Sequence, residues 1–304
     1  MVADVTQLQG ASFSKAPRAS PRTCCRSKNP FVPELPEVEH ARRTLEHWLL
    51  KRRIEHAAVL DPRILDDKAS AARVVRALKG RRVEAVERRG KWLRIVLDHG
   101  RVFSHLGMTG KWVRAHDSED TLPHEKVRFD VLGPRSKKTS LRYVDPRLFG
   151  RFVVIAHTKP DLPAWAALGP DPLTDGIDVT ALHAKLAGRK LPIKPTLLDQ
   201  TVLAGVGNIQ ATEALFAARI DPRRPARNLS RAEVTVLARE IRRSIDKTMA
   251  LQEGPVIQYV EEAGAPNPFL IYGNEGTPCP RCKRPLAKMT LAGRGTVFCA
   301  HCQK

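Results

Sequence analysis

From Pro36 onward, apolar residues recur at Val38, Ala41, Leu45, Trp48 and Leu49, a spacing that lines one face of a helix. Pro36 fits the first turn, and Glu37 and Glu39 stand beside the positive end of the dipole. The pattern then shortens into β-like runs at Ile54–Leu60, Arg82–Arg88, Trp92–Leu97, Arg101–His105, Val127–Leu132, Leu141–Val144 and Phe152–Ala156, separated by Gly, Pro and Asp. A helix over Ala69–Leu78 interrupts the series. Beyond about residue 157 the period becomes helical again, with candidates at Val179–Ala187, Lys194–Val202, Ile209–Ala218 and Arg231–Ala250. Asp161-Leu162-Pro163 and Gly169-Pro170-Asp171-Pro172 read as the linker. There is no internal repeat. The order predicts an α+β chain: an N-terminal β-sandwich with flanking helices over 33–157, a helical domain over 158–273 and a small C-terminal unit over 274–304.

Residues 1–32 have a different texture, rich in Ser, Ala and basic residues, with Asp4 as their one acid. They lack the apolar core of a secretory signal, and read as a disordered tail, a transit peptide or sequence before the true start. Of the net charge of +20 on 304 residues, the five basic residues and one acid of this leader carry little. The excess belongs to the rest of the chain and implies a polyanionic partner, with nucleic acid first among them. A general surface basicity would give the same sum. No apolar run approaches the ~20 residues that cross a bilayer.

Cysteine use is more specific. Cys279 and Cys282, then Cys299 and Cys302, form two CxxC pairs. That spacing matches one structural Zn2+ held by four thiolates, with no coordination position left open for catalysis. Two disulfides are the alternative, but so long a chain with two other cysteines, Cys24 and Cys25, is no disulfide scaffold. Gly205-Val206-Gly207-Asn208 is a glycine turn entering a helix, an arrangement that suits a phosphate and equally a plain corner. Arg294, between Gly293 and Gly295, reads as a hairpin tip.

These pieces, taken in order, resemble the formamidopyrimidine-DNA glycosylases and their endonuclease-VIII-like relatives. The residues are Pro33-Glu34-Leu35-Pro36-Glu37-Val38-Glu39, Arg89-Gly90-Lys91-Trp92, His105-Leu106-Gly107-Met108-Thr109-Gly110, Asp145-Pro146-Arg147-Leu148-Phe149-Gly150, Gly205-Val206-Gly207-Asn208-Ile209 and the cysteine finger. The resemblance spans 33–304 and implies a β-sandwich, a helix–two-turns–helix domain and a zinc finger. It also implies a bifunctional glycosylase and abasic-site lyase for oxidised purines, acting on double-stranded DNA with a damaged base or abasic site. Pro33 would be the nucleophile through its own α-amine, with Glu34 moving protons and Glu37 supporting it. Lys91, Asn208 and Arg294 would hold phosphates. Met108, Arg147 and Phe149 would fill the gap left by a flipped nucleotide. Lys194, in Ile193-Lys194-Pro195, matches a family lysine near the DNA. A monomer in a bacterial cytoplasm, associated with the nucleoid, is expected, or an organelle enzyme if the leader is a transit peptide.

Three departures bear on that expectation. Val32 precedes Pro33, and while residues 1–32 remain attached the Pro33 nitrogen is an amide with a delocalised lone pair. A start at Val32, read as the initiator methionine and then removed, or proteolytic removal of the leader, restores the amine; retention leaves a noncatalytic lesion-binding protein. Glu253-Gly254-Pro255-Val256-Ile257 stands where the family's formamidopyrimidine branch usually carries a Gly-Gly-Thr-Thr-like loop, which keeps oxidised pyrimidines open as the substrate. Gln210, after Gly207-Asn208-Ile209, stands where a tyrosine is common in the family.

Overall fold

The computed structural model describes residues 32–66, 69–115, 121–132, 138–252, 254 and 267–304. The leader through residue 31 lies outside the described residues, as does the Glu253–Ile257 stretch apart from Gly254.

The chain is α+β. Helix α1 (Leu35–Leu49) is followed by β1 (Arg53–Val59), α2 (Ala71–Leu78) and seven further strands, β2 (Val83–Arg89), β3 (Trp92–Leu97), β4 (Gly100–His105), β5 (Lys111–Ala115), β6 (Glu125–Leu132), β7 (Lys138–Val144) and β8 (Arg151–Ile155). They form two four-stranded sheets, in the orders β1-β6-β7-β5 and β2-β3-β4-β8, with antiparallel pairing throughout. Strand β5 has no counterpart among the runs read from sequence. Its Lys111-Trp112-Val113-Arg114-Ala115 alternates so that Trp112 is its buried residue, which leaves too short an apolar signal to read.

Between the sheets lie Ile54, Val86, Ile95, Val102, Trp112, Phe129, Tyr143 and Phe152, and the apolar face of α1 covers them with Val38, Ala41, Leu45 and Trp48. Leu35, at the start of the same helix, belongs to a different core. It packs with Leu197, Val206, Leu215 and Ile241 of the helical domain. One helix is thus rooted in both layers, and its first turn lies on the seam.

The helical part contains a short α3 (Pro163–Ala166), α4 (Val179–Ala187), α5 (Ile193–Leu198), α6 (Asn208–Ala217) and the long α7 (Arg231–Ala250). Helix α5 stops earlier than the apolar pattern implies. The Asp199 carboxylate accepts from Thr201 N–H at 2.9 Å and from its hydroxyl at 2.7 Å, and this side-chain turn competes with the helical path. The chain closes with β9 (Ala287–Leu291) and β10 (Arg294–Phe298). Their two-residue loop, Ala292-Gly293, has φ of +47° and +73°, the left-handed pair that a tight hairpin requires.

Candidate active site

The Pro33-Glu34-Leu35 start is clamped against the glycine turn at 205–207. Leu35 N–H donates to Gly205 O at 3.1 Å. A Cβ on Gly207 would meet the Glu34 Cδ at 2.2 Å, so only glycine allows the approach. Gly205, at φ +87°, is equally confined by Leu35. The helix end that follows carries an anion, but an internal one. Ile209 N–H donates to Glu34 Oε1 at 2.8 Å and Gln210 N–H to Glu34 Oε2 at 3.0 Å. The phosphate-cradle reading of this turn is corrected accordingly: those two donors are filled by the Glu34 carboxylate.

Burial nevertheless raises the Glu34 pKa above the ordinary carboxylate value, against the pull of Lys91 and of the two N–H groups. Glu37, one turn on, accepts from Glu34 N–H at 2.9 Å through Oε2. Its other oxygen is buried without a hydrogen-bond partner. Burial and the neighbouring Glu34 push it up to about 8. Lys91, presented by the tight β2–β3 turn, is lowered by burial and by Arg294. The site therefore holds two acids with a strong hold on protons beside an amine with a weakened one.

A cavity of about 100 Å³ opens here, lined by Val32, Glu34, Lys91, Asn208, Tyr272 and Arg294 among others. Pro33 is buried at its edge, with Val32 joined to its nitrogen. Asn208 Oδ1 is buried without a partner, and Arg294 is exposed at the hairpin tip. Residues far apart in the chain, from Val32 to Arg294, meet at this one opening.

Met108, Arg147 and Phe149 come from two loops that are tied together. Thr109 Oγ1 donates to Asp145 Oδ1 at 2.6 Å, Arg147 N–H to Thr109 Oγ1 at 3.3 Å and Gly150 N–H to Asp145 Oδ2 at 2.8 Å. Gly107, at φ +63°, lies against the Phe149–Gly150 backbone, where a Cβ would come within 2.4 Å. The Arg147 guanidinium rests over the Phe149 ring at 5.0 Å, and Phe149 is 53% exposed. Lys194 lies apart from these exposed groups. It is 1% exposed and donates to Thr296 Oγ1 at 2.8 Å and Gly295 O at 3.1 Å. Burial lowers its pKa to about 7. It fastens α5 to the hairpin that carries Arg294.

The Sγ atoms of Cys279, Cys282, Cys299 and Cys302 all lie within 4.8 Å of one another. A tetrahedral Zn2+ with bonds of about 2.3 Å needs sulfur atoms somewhat under 4 Å apart, so the donor set fits one structural ion. The finger is anchored to the end of α6: Gln303 Nε2 donates to Ile220 O at 2.8 Å, and Arg281 caps the last carbonyls, Phe216 O at 2.6 Å and Ala217 O at 3.0 Å. Helix α6 thus has a carboxylate from α1 at its positive end and a guanidinium from the finger at its negative end.

Comparison with known proteins agrees with this architecture. The formamidopyrimidine-DNA glycosylase N-terminal domain matches residues 32–152, the H2TH domain of the same proteins matches 168–259, and a zinc finger found in FPG and IleRS matches 276–304. The formamidopyrimidine-DNA glycosylase of Geobacillus kaustophilus is 39% identical over 282 residues, covering 90% of this chain and 100% of that protein. The chain belongs to the formamidopyrimidine-DNA glycosylase family. The Moorella thermoacetica protein of that name is 40% identical, over 85% of this chain and 94% of its own length. Among solved structures, Lactococcus lactis Fpg with abasic-site DNA superposes at TM-score 0.78 and 30% identity, covering 89% of this chain and 99% of that one. The same Fpg with Fapy-dG DNA gives 0.78 and 31%, covering 89% and 100%.

Within this family framework, several structural residues escaped the motif reading. Tyr272 lines the cavity, and its segment is held by Glu213, which accepts from the N–H groups of Leu270, Ile271 and Tyr272, each at 2.9 Å. The aromatic in Phe269-Leu270-Ile271-Tyr272-Gly273, outside any periodic run, was the available signal. Arg88, with a fully buried side chain, bridges Glu39 of α1 at 2.8 Å and Asp171 of the linker. Asp171 also accepts from Gly90 N–H at 2.8 Å, which steadies the turn carrying Lys91. Nothing in the spacing of an Arg-Arg-Gly-Lys run marks which arginine turns inward.

Proposed function

We propose that this chain excises oxidised purines, 8-oxoguanine and formamidopyrimidines, from duplex DNA and then cleaves the strand at the abasic site. The observation that carries the reading is the cavity that gathers Glu34, Lys91, Asn208 and Arg294 at the buried Pro33. With its α-amine free, Pro33 attacks the sugar C1′, and the electrons of the glycosidic bond leave with the base. The proline nitrogen then gives up its proton, the C1′–O4′ bond opens with its electron pair and a proton from Glu34 going to O4′, and a cationic iminium on the proline nitrogen remains. That cation acidifies the C2′ hydrogen, and its removal expels the 3′ phosphate; a second elimination releases the 5′ phosphate. Glu34 moves protons at the ring oxygen and during elimination, and Glu37, largely protonated near neutral pH, spares it a second adjacent charge.

Lys91, Asn208 and Arg294 hold phosphates around the displaced nucleotide, and Lys194 keeps the Arg294 hairpin in place. Met108, Arg147 and Phe149 enter the gap in the stack. The Zn2+ supplies structure alone, because four thiolates leave it no open position. A bacterial cytoplasmic location suits the bacterial relatives; no helix among the described residues is long and apolar enough to cross a membrane.

Borohydride trapping on abasic-site DNA tests the reading. A chain beginning at Pro33 is expected to give a covalent adduct at that residue, and a chain retaining Val32 none. Absence of an adduct from the Pro33-initiated chain would overturn the amine mechanism. Equal or faster excision of oxidised thymine over 8-oxoguanine would overturn the purine assignment.

A further inference from the structure

The Gln210 side chain is fully buried and touches neither the cavity nor the surface. Its amide is matched at both ends by α7. Ser244 Oγ donates to Gln210 Oε1 at 2.6 Å, and Gln210 Nε2 donates to Thr248 Oγ1 at 3.0 Å. Thr248 Oγ1 in turn donates to Ser244 O at 3.0 Å, which closes the ring. Ser244 and Thr248 are four residues apart on α7, so they stack on one face. An amide offers one acceptor and one donor in a fixed plane, and this face presents a donor and an acceptor one turn apart. A slide of α6 along α7 by a fraction of a turn breaks both bonds, and it leaves the fully buried Gln210 amide unmet, which is costly.

The same residue's backbone N–H is one of the two that hold Glu34. We propose that Gln210 is a positioning residue for Glu34: its side chain fixes the axial register of α6 against α7, and that register aims the Ile209 and Gln210 N–H groups at the carboxylate. The inference rests on the reading of Glu34 as the proton-handling group for its consequence in catalysis, though not for its geometry. Gln210→Leu keeps the volume and removes the anchor. Ser244→Ala with Thr248→Val removes the same anchor from α7 and leaves Gln210 intact.

The test has two arms on the chain beginning at Pro33. Carbon-13 NMR of labelled Glu carboxyls follows the Glu34 titration directly. Both variants are expected to move it upward by about half a unit or more, because N–H donors favour the ionised form. Single-turnover excision is expected to slow about tenfold at unchanged DNA affinity, with the limb set by Glu34 shifting the same way. If both variants lower only the melting temperature and leave the Glu34 titration in place, Gln210 is packing and the proposal is wrong. If the titration moves while neither wild type nor variants excise any base, the positioning stands and the proposed function fails.

Discussion

Helices α6 and α7 both start against a glutamate carboxylate, and the two acids end with opposite proton affinities. At α7 the arrangement is local. Ser230 Oγ accepts from Glu233 N–H at 3.3 Å, Glu233 Oε2 accepts from Ser230 N–H at 2.8 Å, and Arg224 reaches Glu233 Oε1 at 2.6 Å in partial contact with water. Glu233 is drawn down to about 2, chiefly by Arg224. At α6 the carboxylate comes from Glu34, distant in sequence, and it accepts two backbone N–H groups at comparable distances. Its pKa is nevertheless raised, because burial outweighs the donors. A helix end therefore does not by itself set the charge of the acid it holds. Access to water and a directly bonded cation decide it. The first arrangement favours the ionised acid; the second shifts its acid towards the protonated form.

The sharpest way to break this contrast is Glu34→Gln. The amide oxygen can accept from one of the two α6 N–H groups while its NH2 faces the other, so the fold should lose about 1–3 kcal/mol, while excision should fall by about 10²–10⁴-fold, the usual worth of a positioned proton carrier. Near-normal single-turnover excision in this variant would reduce Glu34 to a cap. A pair of acids elsewhere extends the comparison. Glu39 and Asp171 are as buried as Glu34 but bonded directly to Arg88. Arg88→Met takes the guanidinium from buried Asp171, while Glu39 keeps Arg42 and Arg43, and chemical denaturation should show a loss of about 3–5 kcal/mol. A loss under about 1 kcal/mol would mean that water reaches the pair.

The pH dependence of stability separates the two kinds of acid next. The folded chain holds the Glu37 proton more tightly than the unfolded chain between about 4.5 and 8, so stability falls as pH rises through that window. Glu37→Gln should remove this decline and melt higher than wild type at the alkaline end. Glu233 has the opposite sign: its contribution is present above about 4.5 and lost as pH falls toward about 2. Parallel melting curves for Glu37→Gln and wild type from acid to alkaline pH would contradict the assignment. The smallest effect belongs to the local cap. Ser230→Ala should cost about 1 kcal/mol in urea denaturation and leave excision unchanged.

Much of this was legible in the sequence, and the division is physical. Period and spacing report what a residue does within its own element. The apolar face of α1, the full extents of α4 and α7, and the paired CxxC knuckles were readable for that reason. Motif order brought Glu34, Lys91, Asn208 and Arg294 to one cavity. The hidden parts are bonds between elements far apart in the chain. Glu34 capping α6 spans 175 residues, and Gln210 looked like a departure without a role until Ser244 and Thr248 were placed beside it. Lys194 was read only as matching a family lysine near the DNA, because nothing in Ile193-Lys194-Pro195 shows that its amine turns inward to Thr296.

The bolting of the seam has a mechanical consequence. Leu35 is seated in the helical core, Glu34 is bonded to α6, and Arg88 ties α1 and the sheet to the linker. Three fastenings across one boundary oppose a swing of one layer against the other. A rigid jaw cannot close around a straight rod, so the work of fitting falls on the duplex. Sequences and lesions that soften the stack are then favoured by their flexibility before any base is read.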